Sequence, residues 1–465
     1  MTPFYRDEAV RQRLIEFLGG EALDQVSAVY VTHSDGCQYD PRNLRPPGEL
    51  DWFLERDLDI ARSLADTRSL LFHLDIEYVN FDSPAEAHLD PLRTFELQEP
   101  VIRAIERRLL IWGIRPLHII TGQGHHFVWR AEVNGTLFAR LCQLEPAPEL
   151  RFPNPHMPHP AEGRIDDSAQ AAFGAQSMVM EYLAQLIKQD AAPRTEIPIE
   201  LTAVHVGPGA TGKREVISID ISEYGDPLHT RMIRQPFTYY LKPWVAGPVS
   251  QEELRGQIPL TRVVPLHEMD VHLALRVRQS ESDVRELARR ACVRIPEQSA
   301  GCARLLEDYL ASPLRRFHQF YYSDRHDPPE RWPETYHNTP PNLFPPCMRA
   351  LVENPNDLLL KPAGMQLITR CLLARAWHPR HIAGFIRSKF ENPTYGWGIR
   401  WKDYSAAIRA DFYTRIFASL RATGLDSLVD FNCTSSREKG FCVSPPDAGP
   451  CLAPLRQTLL THPML

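Results

Sequence analysis

Residues 70–79 read LLFHLDIEYV, and the way this run alternates decides the fold. Phe72, Leu74, Ile76 and Tyr78 fall on one side of an extended strand, and His73, Asp75, Glu77 and Val79 fall on the other, because successive strand side chains point to opposite faces. One face is core, and the other presents two carboxylates. Downstream, EPVIRAIERRLLIWGIR (99–115) has the apolar spacing of an amphipathic helix, LHIIT (117–121) is a strand, GQG (122–124) a glycine turn and HHFVWR (125–130) a further strand. The order is β-α-β-β. A later strand, EVISIDIS (215–222), sets Ile217, Ile219 and Ile221 on one side and Val216, Ser218 and Asp220 on the other. A third carboxylate thus faces away from an apolar layer.

The surrounding chain has 465 residues, 43% of them hydrophobic and 24% charged, which is ordinary globular usage and enough for two or three cores. With 52 basic and 58 acidic residues the net charge is -6, so any nucleic-acid contact must be local. There is no apolar run of membrane-span length, and the first residues (MTPFYRDEAVRQRL) are charged where a signal peptide would be greasy. A cytoplasmic protein without membrane contact is the expectation. Nine cysteines are too few and too scattered for a secreted disulfide framework. Prolines cluster at 146–160 (PAPELRFPNPHMPHP), an irregular insertion, and at 327–346 (DPPERWPETYHNTPPNLFPP), a connector. The division that follows is a helical accessory part (1–69), a catalytic domain (70–260), a helical and Pro-rich connector (261–346) and a separate mainly helical C-terminal domain (347–465). The expected fold class is α+β.

Two acids at i and i+2 on a strand, with a third from a neighbour, can hold Mg²⁺ or Mn²⁺ over phosphates. Asp75, Glu77 and Asp220 are the catalytic and metal candidates, and nucleotidyl transfer is the reaction such ions serve. A lone D-x-E is more often a solvated strand face; its company favours the site. In TGQGHHFVWR (121–130), Gly122 and Gly124 permit close backbone approach, and His126 is placed to meet a triphosphate. His125 shares the face of Phe127 and Trp129 and reads as packed core. HTRMIRQPFTYYLK (229–242) offers Arg231, Arg234 and Lys242 to nucleotide phosphates. GPGATGKR (207–214) matches a phosphate loop only in part, since it lacks the Ser or Thr and precedes a strand.

HLDIEY, TGQGHHFVW and SIDIS followed by RMIRQPFTYYLK resemble, in order and separation, the three motifs of the archaeo-eukaryotic primase superfamily. The resemblance covers roughly residues 70–245. It implies an RRM-like catalytic sheet, metal binding by Asp75, Glu77 and Asp220, and nucleotide contacts from Thr121, Gly122, Gly124, His126, Arg231, Arg234 and Lys242. Tyr240 stands where the family pattern suggests His. The activity implied is that of a DNA primase or primase-polymerase acting on a single-stranded DNA template with NTPs or dNTPs. A primer-extending repair polymerase and a non-catalytic nucleic-acid-binding module are the alternatives. A helicase or other replication or defence proteins are the partner classes that the resemblance implies.

Near the C-terminus, FNCTSSREKGFCVSPPDAGPC (431–451) places Cys433, Cys442 and Cys451 at two equal nine-residue steps, and Cys347 opens a helix after FPP. This arrangement resembles the iron-sulfur domain of primase large subunits, which implies a [4Fe-4S] cluster on these four cysteines. Zn²⁺ is the alternative. Cys371, within an apolar helical pattern, reads as core. Residues 361–424 hold eleven Lys or Arg against three acids, with aromatic residues interleaved. Arg387, Lys389, Trp397, Arg400, Trp401 and Lys402 are the template-binding candidates.

Overall fold

In the computed structural model, the residues described are 2–33, 43–147, 150, 167–202, 204, 207, 211–245, 256–353, 361–392, 405–442, 444 and 451–462. The alternating run forms β3 (Ser69–Asn80), the longest strand of a six-stranded mixed sheet. Its two neighbours are β5 (Gly124–Glu132) and β7 (Glu215–Asp220), both antiparallel to it. Beyond β5 lie β4 (Leu117–Ile120) and β9 (Val264–Pro265); beyond β7 lies β6 (Ile199–Leu201), which runs parallel to it. The fold is mixed α+β.

Phe72, Leu74 and Ile76 are almost fully buried, as are Ile217 and Ile219 on β7. The helices Pro91–Ile111 and Asp167–Ala191 pack against each other and against this apolar side of the sheet. Burial of such a layer removes roughly 1.5–3 kcal/mol of solvent cost per large aliphatic side chain. A second sheet, β1 (Val31–His33), β2 (Ile60–Ser63) and β8 (Met232–Arg234), is antiparallel throughout.

That second sheet corrects the expectation of a purely helical accessory part. Helix Glu8–Phe17 buries Val10, Leu14 and Phe17 as its spacing demands, but β1 and β2 also lie within 1–69. Strands of three and four residues are too short to show a period. The boundary at 260 is also too early, since β9 completes the large sheet and helix Ser299–Ala311 packs on β5.

The expectation of a separate C-terminal domain meets a further difference. One continuous apolar core runs from Phe4 to Leu459. Helix Ala406–Ala422 lies against helix Pro313–Tyr321 and against the turn Ser222–Gly225. Buried ion pairs join the two halves: Arg415 Nε to Glu181 Oε2 at 2.8 Å and Arg409 Nε to Asp226 Oδ1 at 2.8 Å. Arg415 also donates to Ser177 Oγ at 2.6 Å. Because a buried carboxylate that loses its partner is left desolvated, Arg415→Met is expected to cost about 3 kcal/mol, with part recovered in the double variant Glu181→Gln/Arg415→Met. Urea midpoints of the three proteins check this; an unchanged midpoint for the single variant contradicts it.

Candidate functional site

Strand register builds the site. Asp75 on β3 lies directly opposite Asp220 on β7 and opposite His126 on β5, so the three share one row across the sheet. Residues directly opposite in an antiparallel pair have Cβ atoms about 5 Å apart, and like charges so placed repel. Glu77 follows two residues after Asp75 on the same face, opposite Gly124 and Ser218. Gly124 is required at that position: a Cβ there would lie 1.8 Å from the Ile76 carbonyl oxygen.

The polar face of this row and the small sheet line a common cleft of about 180 Å³. His73, Asp75, Glu77, His126, Asp220 and Glu223 line it together with Ala61, Met232, Arg231, Arg234 and Lys242. Lys242 Nζ lies 3.3 Å from Glu77 Oε1, Arg234 pairs with Asp59 at 3.0 Å, and Arg231 donates to the Ser222 carbonyl at 2.7 Å and pairs with Asp226.

The electrostatics are those of excess negative charge. Burial pushes the Asp220 carboxyl above its usual range, and Asp75 and Glu77 beside it push it further. Burial also raises Asp75, against the opposing pull of His73, Lys242 and Arg234. His126 is held well below the ordinary imidazole range, first by burial and then by His73 and Arg234. Its Nε2 approaches Asp75 Oδ1 at 3.3 Å, yet among the described residues neither Asp75 Oδ1 nor His126 Nδ1 has a hydrogen bond. His73 behaves oppositely to His126: burial opposes its protonation, but Glu223 at 3.0 Å, with Asp75 and Asp220, outweighs that and raises it. The cleft therefore demands positive charge, which protons or metal cations can supply.

Three oxygen donors, one with a buried unmet atom, suit a hard divalent cation. Among the described residues, no three His, Cys, Asp or Glu side chains already stand gathered around an ion position. The fit thus rests on donor chemistry and unmet hydrogen-bonding capacity.

Several sequence candidates stand elsewhere. Thr121 Oγ1 donates to the Gly124 carbonyl at 3.1 Å, and buried Arg278 donates to the Thr121 carbonyl at 2.5 Å. Gly122 faces Tyr240, whose ring would meet a Cβ at 2.1 Å. Thr121, Gly122 and Gly124 therefore shape the turn and strand contacts and do not line the cleft. Tyr240 itself is buried, with Arg234 4.6 Å from its ring centre. His125 is wholly buried, 2.8 Å from His118. Conversely, neither Glu223 nor His73 belongs to the motifs, and the available signal is an ionisable residue three positions beyond the third acid. A larger cavity of about 720 Å³, between Lys188–Glu200 and Gly424–Glu438, contains none of the motif residues.

Cys347, Cys433, Cys442 and Cys451 lie within electrostatic reach of one another, without forming a gathered ligand set among the described residues. Cys433 and Cys451 sulfurs are 3.5 Å apart. Burial pushes the Cys347 thiol up to about 12, with Cys451, Cys442 and Cys433 adding to the shift. Cys451 is pushed up to about 11 by burial and by Cys433 and Cys442. Cys371 is buried beside Cys347 in helix Pro362–Leu373.

The basic C-terminal stretch is largely engaged within the protein. Arg370 pairs with Asp426 and Asp430, Arg380 with Asp411, and Arg409 and Arg415 with the partners already named. Arg387 pairs with Glu391, and Lys389 is 9% exposed over the Phe385 ring. Trp397, Arg400, Trp401 and Lys402 lie outside the described residues. No helix among the described residues is long and apolar enough to cross a membrane.

No protein-family model, curated protein or solved structure matches the chain.

Raised carboxyl pKa values mean that the folded chain holds protons the unfolded chain releases, so stability falls as pH rises above the ordinary carboxylate range. Without divalent cations, Asp220→Asn is expected to be more stable than the parent at pH 7.5 by about 1 kcal/mol, the difference shrinking towards pH 4. Chemical denaturation at the two pH values checks this. A variant less stable at both would contradict the mutual repulsion of the acids.

Proposed function

We propose that the chain is a template-directed nucleotidyltransferase of the primase-polymerase kind, acting on single-stranded DNA with nucleoside triphosphates. The observation that carries this reading is the single cleft in which Asp75, Glu77, Asp220 and His126 meet the cations Arg231, Arg234 and Lys242. The ordered motif resemblance to the archaeo-eukaryotic primase superfamily supports it, as does the mixed sheet that carries the motifs. Asp75, Glu77 and Asp220 would hold Mg²⁺ or Mn²⁺, which when bound supplies activation of an attacking hydroxyl and neutralisation of a leaving pyrophosphate. His126 and the three cations orient and neutralise the phosphates.

Labelled nucleotides, single-stranded DNA and Mg²⁺ or Mn²⁺, incubated with and without a primer, test the reading. New chains without primer are expected, with Asp75→Ala lowering incorporation at least about 1,000-fold while leaving the protein folded. Synthesis only from a primer would reassign the chain to the repair polymerases, and undiminished synthesis by Asp75→Ala would remove the active-site assignment.

The four thiols would form the ligand set of a structural metal. Burial and neighbouring thiols raise Cys347 and Cys451, which favours their neutral form without a cation, whereas a bound ion would deprotonate them. The 3.5 Å between Cys433 and Cys451 exceeds a disulfide bond and is near the roughly 3.8 Å that two thiolates on one tetrahedral Zn²⁺ take. That distance favours zinc over the iron-sulfur cluster. Anaerobically purified protein is expected to be colourless and to carry about one zinc per chain, lost in Cys433→Ser; a brown protein with iron would reverse the assignment.

A further inference from the structure

His73 and Glu223 lie in the cleft without belonging to the motif residues. His73 precedes Asp75 by two positions on β3 and therefore shares its face. Its Nδ1 is 3.0 Å from Glu223 Oε1, its ring meets His126 edge-on at 4.6 Å, and the residue is 4% exposed. Among the described residues its Nε2 has no hydrogen-bond partner, although the side chain lines the same cleft as the three acids.

A buried imidazole with one nitrogen tied to a carboxylate and the other unmet is the arrangement by which proteins orient metal-ligating histidines. With Nδ1 tied to Glu223, Nε2 is the nitrogen that can exchange a proton for a cation. Glu223 is itself fixed in the turn Ser222–Gly225, which helix Ala406–Ala422 supports. Buried His125 and His318 also carry an unmet nitrogen, but among the described histidines only His73 and His126 do so in the cleft that holds the three carboxylates.

We propose that His73 Nε2, oriented by Glu223, is a nitrogen ligand for the divalent cation of the carboxylate cleft and biases that site towards Mn²⁺ over Mg²⁺. The inference rests on the carboxylate-cation reading above. Mg²⁺ takes oxygen ligands and gives up its waters reluctantly, whereas Mn²⁺, though also suited by carboxylates, is a first-row transition ion that gains more than Mg²⁺ from a nitrogen donor. The mixed donor set thus selects the ion.

The test is electron paramagnetic resonance of Mn²⁺ titrated into the full chain, with Mg²⁺ as competitor and nitrogen modulation of the bound Mn²⁺ signal as the direct readout. The parent protein is expected to show nitrogen coupling that His73→Asn loses and His126→Asn keeps. Mn²⁺ affinity should fall about 10-fold or more in His73→Asn and in Glu223→Gln, with Mg²⁺ affinity changed by less than about 3-fold. Thermal unfolding of each variant shows whether it is folded, and Glu223→Gln preserves side-chain volume should His73→Asn unfold. Coupling that persists in His73→Asn, or equal losses for the two ions, would overturn the inference. Asp75→Asn separates the two levels: if it weakens both ions while His73→Asn weakens neither, the carboxylate reading stands and the nitrogen ligand falls. If Asp75→Asn binds Mn²⁺ as the parent does, both fall.

Discussion

Everything in this molecule that bears on chemistry depends on one register: β3 pairs with β7 so that Asp75 faces Asp220, and with β5 so that Asp75 also faces His126. Backbone hydrogen bonds hold this row, and a one-residue slip would turn every one of its side chains to the opposite face. The apolar residues between the acids prevent the slip. Phe72, Leu74 and Ile76 are buried beneath the helices Pro91–Ile111 and Asp167–Ala191, so the core fixes the face on which negative charge accumulates. Folding thus holds together carboxylates that repel one another, a local cost that a bound cation would offset.

The C-terminal helices buttress that arrangement. Asp226 receives Arg409 from helix Ala406–Ala422 and also pairs with Arg231 at the cleft. The turn Ser222–Gly225, which carries Glu223, rests on the same helix. One chain of contacts therefore runs from the helical region to the end of β7. The cations of that region, numerous in the sequence, are mostly consumed in this way.

How much of this could be read beforehand follows from the range of the interactions. The two faces of LLFHLDIEYV and the convergence of three motifs were legible, because strand alternation is local and the motif order reflects the order of strands. The glycines were misread as phosphate-approach positions: Gly124 serves the Ile76 carbonyl and Gly122 the Tyr240 ring, contacts 48 and 118 residues away in sequence. The basic stretch was overcounted for the same reason, since Asp226 and Glu181 lie far from Arg409 and Arg415 along the chain. Strands β1, β2 and β9 are two to four residues long and carry no period to detect.

The central claim is that the row of acids is a cation site over which a nucleoside triphosphate is placed. A crystal of the full chain grown with Mn²⁺ and a non-hydrolysable nucleoside triphosphate, measured at the manganese absorption edge, tests it most directly. Anomalous density bounded by Asp75, Glu77 and Asp220 is expected, with the triphosphate reaching towards His126, Arg231, Arg234 and Lys242. Manganese bound elsewhere, with this cleft free of both ion and nucleotide, would contradict it.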